Sequence, residues 1–373
     1  MKILRVTAKN FRNCKDGYTI DFVAKASKSD EDKLYELQEI APNLYTFNTI
    51  AFVGKNASGK SSAIDLLYSC YTILDSFHLW NQEYFDDNEE IEIFFYHDGN
   101  IYKYKTVLKR DNRNTANFEN EHIYIKKYYK TKADKIFDDD FEEMTGFNDL
   151  PKDTSLTYHI FKNSWDSGVY YQCDDLNRFN YSFSFDLMER YNISKEIFNY
   201  ILTLLDKNVK ELEKSESGNY KLIYKDSERT FSPVELYHFL SSGTTKGISL
   251  YMAMAVSLCK GIDLMIDEIE NHFNKALVEN MISLYKDPSI NKHHATLIFS
   301  THYNELLDLF GRQDNIWITK SDGQVYLENM YEKYDLRPAL KKSKQFYNNA
   351  FDTAVNYDDL MNLKKALKRG ISK

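Results

Sequence analysis

One octapeptide near the amino terminus has the residue types and spacing of a phosphate-binding loop. Residues 54–61 read G-K-N-A-S-G-K-S and match the pattern G-x-x-x-x-G-K-[ST] in full. In this pattern successive backbone N–H groups face phosphate oxygens, and the positive end of the next helix adds to them. Lys60 would reach the β- and γ-phosphates, and the Ser61 hydroxyl would ligate Mg²⁺. An ordinary strand-to-helix loop is the alternative, and the apolar run before it and the helical spacing after it disfavour that alternative.

A second candidate group is a pair of carboxylates at the end of an apolar run. Residues 262–268 read I-D-L-M-I-D-E. Asp267 would hold Mg²⁺, directly or through water, and Glu268 would polarise the attacking water. Taken alone, Asp-Glu after a strand is a common helix-start signal. The phosphate loop in the same chain favours the catalytic interpretation.

The third candidate is His302, in the sequence S-T-H at 300–302. A lone histidine is more often a structural residue. This one follows the next apolar strand after Glu268, which is where a sensor of the γ-phosphate belongs. By contrast, His293 and His294 precede that strand and are predicted to lie in a loop.

The apolar periodicity predicts the elements that must position these residues. We predict strands at 3–8, 19–22, 48–53, 91–104 (a hairpin), 122–126, 220–224, 262–266 and 295–299. We predict helices over 63–74, 185–212, 240–258 and 276–285. Short apolar strands alternate with helices at both ends of the chain, which indicates an α/β core with a largely parallel sheet. The middle of the chain has the pattern of an insertion.

Composition excludes several classes of protein. The chain has 373 residues, 43% of them hydrophobic, and a net charge of −8, so wholesale disorder and a general nucleic-acid coat are disfavoured. The sequence has no run of about 18 apolar residues, so no membrane span is expected, and its first residues lack the long apolar core of a signal peptide. The four cysteines lie far apart, and we expect buried free thiols in a reducing cytoplasm. Glycine is scarce, with 13 residues against 29 tyrosines, yet four glycines fall at 54, 59, 243 and 247.

The last two of those glycines carry a family resemblance. Residues 240–247, L-S-S-G-T-T-K-G, look like the L-S-x-G signature loop of ABC-type ATPases. The order of phosphate loop, long insert, signature, Asp-Glu strand and Thr-His resembles the RecF/SMC/OLD branch, as does N-F-R at 10–12. The whole chain resembles stand-alone AAA-type ATPases of abortive-infection and phage-resistance systems, whose L-S-S-G-T-x-x-G and I-D-E-I-E-N segments are nearly identical here. The resemblance is strong over 1–75 and 200–320 and weak in the insert.

The resemblance implies a fold and a mechanism. The expected fold class is an α/β P-loop NTPase head of ABC type with a mixed sheet, an antiparallel β subdomain and a helical insert. Such heads dimerise around two ATP molecules, and Ser241 and Gly243 of one subunit would cap the γ-phosphate held by the other. Glu268 would position the water, His302 would contact the γ-phosphate, and Arg12 would approach the ribose and phosphates. The residues expected to bind nucleotide around the phosphate loop are Gly54, Asn56, Ser58, Gly59, Lys60, Ser61 and Ser62.

Three departures limit what the resemblance carries over. Phe273-Asn274-Lys275 replaces the usual leucine–histidine–proline triplet, so Asn274 stands where a subunit-facing histidine is expected. The Q-loop residue is not identified, with Gln82 as a candidate. The roughly 180 residues between Lys60 and the signature lack sustained heptads, which excludes a long coiled coil. Only 71 residues follow His302, without a D-x-D motif, so the chain is expected to lack its own nuclease.

These considerations divide the chain as follows. Residues 1–82 and 230–335 form a split ATPase head, 83–229 a β-rich and helical insert, and 336–373 a tail. The tail has basic clusters at 341–344 and 364–369. They could contact nucleic acid, but solvated helix ends are the favoured interpretation, since positive charge suits a helix carboxyl terminus.

Three functions remain in competition. The first is an ATP-hydrolysing, cytoplasmic subunit of an anti-phage system that uses Mg²⁺, forms a homodimer or higher oligomer and controls a separate effector such as a nuclease or toxin. A phage-derived molecule would be its trigger. The second is a RecF-like repair ATPase that binds DNA directly, which the absence of a long basic segment weakens. The third is a binding module with structural ATP, which an intact Glu268 weakens. DNA binding is left open, and no membrane is expected.

Overall fold

The computed structural model describes residues 1–75, 85–112, 115–147, 150–161, 170–172, 181–225, 227–271, 274–334, 341–351 and 357–371. Gln82 and Phe273 lie outside the described residues. The strands are β1 Lys2–Lys9, β2 Tyr18–Asp21, β3 Leu37–Ala41, β4 Leu44–Phe47, β5 Thr49–Val53, β6 Glu89–His97, β7 Asn100–Arg110, β8 Ala116–Lys127, β9 Glu142–Glu143, β10 Tyr170–Gln172, β11 Val209–Lys214, β12 Tyr220–Tyr224, β13 Ser227–Phe231, β14 Leu264–Ile266, β15 Leu297–Thr301, β16 Ile316–Ser321 and β17 Val325–Asn329.

The helices are α1 Asp30–Tyr35, α2 Lys60–Asp75, α3 Leu156–Phe161, α4 Tyr181–Arg190, α5 Lys195–Leu205, α6 Pro233–Phe239, α7 Ser242–Lys260, α8 Lys275–Lys286, α9 Met330–Lys333, α10 Lys342–Tyr347 and α11 Tyr357–Ile371. In the described part of the chain, 3₁₀ segments span Lys130–Lys135, Ile269–Asn271 and Asn304–Leu309.

A six-stranded mixed sheet positions the candidate residues. Its order is β10-β14-β15-β5-β16-β17, with parallel pairs up to β16 and an antiparallel β17 at the edge. Ile266, Phe299 and Ala51 lie side by side in register on β14, β15 and β5. Because these strands are parallel, their carboxyl ends meet at one edge of the sheet. The α/β fold class with a mixed sheet, predicted from the sequence, is confirmed.

Helix α2 lies between this sheet and a second one. The second sheet is antiparallel, in the order β2-β1-β6-β7-β8-β9. α2 packs in one core with Ile50 and Phe52 of β5 and with residues of β1, β6 and β7. Apolar residues therefore occur all round α2, as expected for a helix covered on both sides.

The opposite face of the parallel sheet is covered by α7. Ala51 and Val53 of β5 pack in a core with nine buried apolar residues of α7 and with residues of α4, α5 and α8. Every residue of β5 is buried, since alternate side chains enter the two cores. The phosphate loop therefore begins at the end of a strand that is packed on both faces.

The antiparallel sheet crosses the predicted domain boundary at residues 82 and 83. β1 and β2 come from the predicted head, whereas β6 to β9 come from the predicted insert, and β1 pairs directly with β6. The helical interpretation of 185–212 is wrong at its end, where β11 forms a three-stranded sheet with β12 and β13. The division into head, insert and tail stays a prediction.

The tail departs from one expectation. Lys342, in the basic cluster at 341–344, is 7% exposed, and its Nζ donates to the Phe310 carbonyl oxygen at 2.6 Å. It is therefore not available to a nucleic acid. Phe351 is fully buried in the same core as the apolar residues of α7.

Other expectations can be compared with the described residues. Cys14 and Cys70 are buried free thiols as predicted, but Cys259 is exposed, and Cys173 lies outside the described residues. No described helix has the length and hydropathy needed to cross a bilayer.

Candidate nucleotide-binding site

The phosphate loop leaves β5 at Gly54 and enters α2 at Lys60. Ala57 and Gly59 have φ angles of 59° and 97°, and left-handed residues in such a loop turn main-chain N–H groups toward one concave face. A Cβ on Gly59 would overlap Cγ1 of Val325, so only glycine fits there. The loop lines an open cleft together with Glu268, Asn271, His302 and Val325.

Lys60 reaches back across the loop. Its Nζ donates to the carbonyl oxygens of Gly54 and Lys55 at 3.2 and 3.3 Å and lies 3.3 Å from His302 Nδ1. Burial lowers the pKa of the Lys60 ammonium below its ordinary value, while the nearby carboxylates, Glu268 first, act in the opposite direction. The ammonium group is thus held at the floor of the cleft among negative charges.

These contacts assign the tautomer of His302. An ammonium group can only donate hydrogen bonds, so Nδ1 of His302 accepts and the ring proton lies on Nε2. Nε2 is 3.4 Å from Glu268 Oε1 and points its proton toward that oxygen. His302 therefore bridges Lys60 and Glu268.

A hydroxyl–carboxylate chain connects the phosphate loop to the end of β14. Ser61 Oγ donates to Asp267 Oδ2 at 2.6 Å, and Ser300 Oγ donates to Asp267 Oδ1. Ser300 Oγ also accepts from the main-chain N–H of Glu268 at 2.7 Å. Because β15 extends through Thr301, two residues beyond the predicted end, Ser300 reaches both carboxylate residues of the neighbouring strand end.

Glu268 has a strained main chain. Its φ angle is 49°, a left-handed conformation that is uncommon for residues other than glycine and concentrates at functional sites. Its Oε2 accepts from the side-chain amide of Asn271, and its Oε1 faces His302. The structure thus brings Lys60, Ser61, Asp267, Glu268 and His302 together at one sheet edge.

Two predicted residues have other surroundings. Arg12 does not line the cleft; its guanidinium pairs with Asp65 of α2 at 2.6 Å, and its main-chain N–H donates to Asp86. Ser58 has a fully buried side chain, and its Oγ lies 2.5 Å from Thr319 Oγ1 of β16. Only the main chain of Ser58 is therefore placed for phosphate binding.

The signature residues lie at the surface. Ser241 caps α7, with its Oγ accepting from the Thr244 N–H at 3.0 Å, and Gly243 is exposed in the first turn. A Cβ on Gly243 would find its nearest atom, Ser241 Oγ, at 3.9 Å, so the intrachain surroundings do not require glycine there. Neither residue lines the cleft of its own chain. Asn274 caps α8 through a hydrogen bond from the Leu277 N–H at 3.1 Å.

Sequence reasoning missed the hairpin β16–β17, which supplies Thr319 and Val325. The apolar run I-W-I-T at 316–319 followed by an Asp-Gly turn at 322–323 is a hairpin signal that could have revealed it. It also assigned no role to Glu270, whose Oε1 accepts the main-chain N–H of His302. No local signal predicts that contact, since 32 residues separate the pair.

A comparison with protein-family models matches residues 50–308 to the family described as "AAA domain, putative AbiEii toxin, Type IV TA system". The chain belongs to this family. The match covers more than half of the chain and includes the phosphate loop, the signature, Asp267, Glu268 and His302. It confirms the resemblance to AAA-type ATPases related to ABC-type heads.

No curated protein matches the chain. Among solved structures, the SMC head domain from Thermotoga maritima is 14% identical with a TM-score of 0.44, over 88% of this chain and 99% of that one. An SMC head bound to the C-winged helix domain of ScpA is also 14% identical, with a TM-score of 0.49, over 88% of this chain and 97% of that one.

Proposed function

We propose that the protein is an Mg²⁺-dependent ATPase subunit of a bacterial anti-phage, abortive-infection system that controls a separate effector such as a nuclease or toxin. The observation that carries the ATPase part is the meeting of Lys60, Ser61, Asp267, Glu268 and His302 at one sheet edge. The family description, which names a toxin and a toxin–antitoxin system, supports the defence part.

The donor set fits Mg²⁺. Ser61 Oγ and Asp267 Oδ2 lie 2.6 Å apart, and both are oxygen donors of the kind that Mg²⁺ prefers. The described residues contain no group of three or more His, Cys, Asp or Glu side chains able to hold a metal, which suits an ion that takes its other ligands from phosphate oxygens and water. When bound, Mg²⁺ neutralises charge on the phosphate oxygens.

The protein's own residues would bind the phosphates, orient the attacking water and cap the γ-phosphate. The loop N–H groups and Lys60 bind the phosphates, which supplies electrostatic stabilisation. Glu268 orients the water whose oxygen attacks the γ-phosphorus as the bond to the bridging oxygen breaks, and His302 holds Glu268 in place while facing the γ-phosphate. The exposed Ser241 and Gly243 at the amino end of α7 would cap the γ-phosphate of a second copy, since a helix amino terminus attracts anions.

ATP binding and hydrolysis by three purified proteins test the ATPase part. Wild type is expected to bind and hydrolyse Mg-ATP. Lys60→Ala is expected to lose binding, because the phosphates lose their buried cation. Glu268→Gln is expected to bind ATP, to hydrolyse it at least about 100-fold more slowly and to accumulate as an ATP-bound dimer in light scattering. Micromolar ATP affinity in Lys60→Ala, or wild-type hydrolysis in Glu268→Gln, would refute the assignments.

The defence part needs a different experiment. The protein is purified from its native operon and the mass of the complex is measured, with the expectation of a stoichiometric second protein. The operon is then expressed under phage challenge, where Glu268→Gln is expected to lose protection. Protection that survives this substitution contradicts control by ATP hydrolysis. DNA binding that falls steeply with salt, without a protein partner, would instead favour the RecF-like function.

A further inference from the structure

Glu270 occupies the 3₁₀ turn Ile269–Asn271, directly after the strained Glu268. Its Oε1 accepts the main-chain N–H of His302. Its Oε2 is buried and has no hydrogen-bond partner among the described residues. A charged acceptor forms a stronger hydrogen bond to an N–H group than a neutral one does. Glu270 thus connects the end of β14 firmly to the end of β15.

The connection matters because three contacts hold His302, and two of them are made by its ring in the cleft. Its main chain is held by Glu270, its Nδ1 lies 3.3 Å from Lys60 Nζ, and its Nε2 lies 3.4 Å from Glu268 Oε1. Both ring distances are at the long end of the hydrogen-bond range. A small displacement of the His302 main chain would therefore break them.

We propose that Glu270 is a positioning residue for hydrolysis. Its carboxylate fixes the main chain of His302, so that the imidazole keeps its Nε2–H directed at Glu268 and its Nδ1 directed at Lys60. Glu270 itself does not line the cleft and acts through His302. The proposal rests on the proposed ATPase function.

A matched control exists elsewhere in the chain. Glu36 Oε1 accepts the main-chain N–H of Gly311 at 2.9 Å, and its Oε2 is likewise buried without a described hydrogen-bond partner. Glu36 lies outside the cleft and pairs with Lys286. Replacing Glu36 therefore removes the same kind of carboxylate–main-chain contact, together with the ion pair to Lys286, outside the cleft.

The experiment measures Mg-ATP affinity, kcat and KM for wild type, Glu270→Ala, Glu270→Gln and Glu36→Ala. Glu270→Ala is expected to lower kcat about 10- to 100-fold, since misplacement by about 1 Å can cost that much, with ATP affinity within about threefold of wild type. Glu270→Gln, which keeps an acceptor oxygen, is expected to recover most of kcat. Glu36→Ala is expected to lower the midpoint of unfolding but not kcat.

Wild-type kcat in Glu270→Ala, or a parallel loss of ATP affinity and kcat, overturns the proposal. If Glu270→Ala does not fold, Glu270→Asp takes its place, because the shortened carboxylate keeps its charge but withdraws from the His302 N–H. A kcat of Glu270→Asp equal to wild type then overturns the proposal.

A second readout separates this proposal from the ATPase assignment. Nitrogen chemical shifts of ¹⁵N-labelled histidine report the tautomer of His302 without any turnover. Wild type is expected to show the Nε2–H tautomer, and Glu270→Ala a mixture of tautomers. An inactive wild type that shows this difference would refute the ATPase function and leave the positioning role standing. An unchanged tautomer in Glu270→Ala would refute the positioning role.

Discussion

Substitution of Thr319 by valine removes a buried hydroxyl that supports the phosphate loop from a distant strand. Thr319 Oγ1 lies 3.3 Å from the Val53 carbonyl oxygen and 2.5 Å from Ser58 Oγ. A hydroxyl has one proton, so Thr319 donates to Val53 and Ser58 donates to Thr319. Valine ends both hydrogen bonds and leaves Ser58 Oγ fully buried without an acceptor.

The size of the effect follows from that orphaned hydroxyl. An unsatisfied buried polar group costs about 1–3 kcal/mol, so the free energy of unfolding is expected to fall by about that amount. Thr319→Ser keeps the hydroxyl and is expected to lose about 1 kcal/mol or less, the worth of one methyl group. In the double variant Ser58→Ala with Thr319→Val no hydroxyl is left unpaired, and stability should return toward that of wild type.

Urea denaturation of these four proteins and of Ser58→Ala, which completes the double-mutant cycle, measures these differences. ATP titration measures the effect on the loop. If about 1 kcal/mol of this loss must be repaid to order the loop when ATP binds, ATP affinity falls about fivefold, since 1.4 kcal/mol corresponds to a tenfold change in affinity. The coupling energy between positions 58 and 319 is expected to be favourable in wild type. Equal stability of Thr319→Val and wild type, or a double variant no more stable than Thr319→Val, would refute the reasoning.

Two further outcomes are expected. Gly59→Ala should abolish ATP binding, because a Cβ there would overlap Val325 in addition to having an unfavourable φ of 97°. Gly323→Ala is the control and should keep ATP binding, since Gly323 has a similar φ of 101° but nothing within 4 Å of its Cβ. Equal losses of ATP binding in the two variants would contradict the steric argument. Burial raises the pKa of Glu89 to about 8 in the folded protein, whereas the pKa in the unfolded chain is about 4.3. Between these two pH values the folded state holds a proton that the unfolded state has lost, so the free energy of unfolding falls as pH rises from about 4.3 to 8. Glu89→Gln should flatten that slope in urea titrations, while Glu90→Gln, exposed on the same strand, should not; a slope unchanged by Glu89→Gln would contradict it.

The sequence predicted most of the parallel core and the residues at its edge. Residues 54–61 carry their own signal, because a phosphate cradle requires glycine and lysine at set spacings. Asp267 and His302 were predicted from the apolar strands that precede them, since parallel strands end together. The hairpin β16–β17 and the strand β11 were missed. Arg12, expected near the nucleotide, pairs with Asp65 of α2, and its contact with the nucleotide stays a prediction.

The residue types and spacing by themselves determined the family, the fold class and the chemistry expected of Lys60 and Glu268, because those properties depend on segments of a few residues. Only the tertiary structure decided which distant side chains support them: Thr319 for Ser58, 261 residues away, and Glu270 for His302, 32 residues away. These partners are chosen by strand register and by the main-chain turns after each strand. The local sequence does not encode which distant residue becomes the partner, because many residues of the same type elsewhere in the chain could form the same contact.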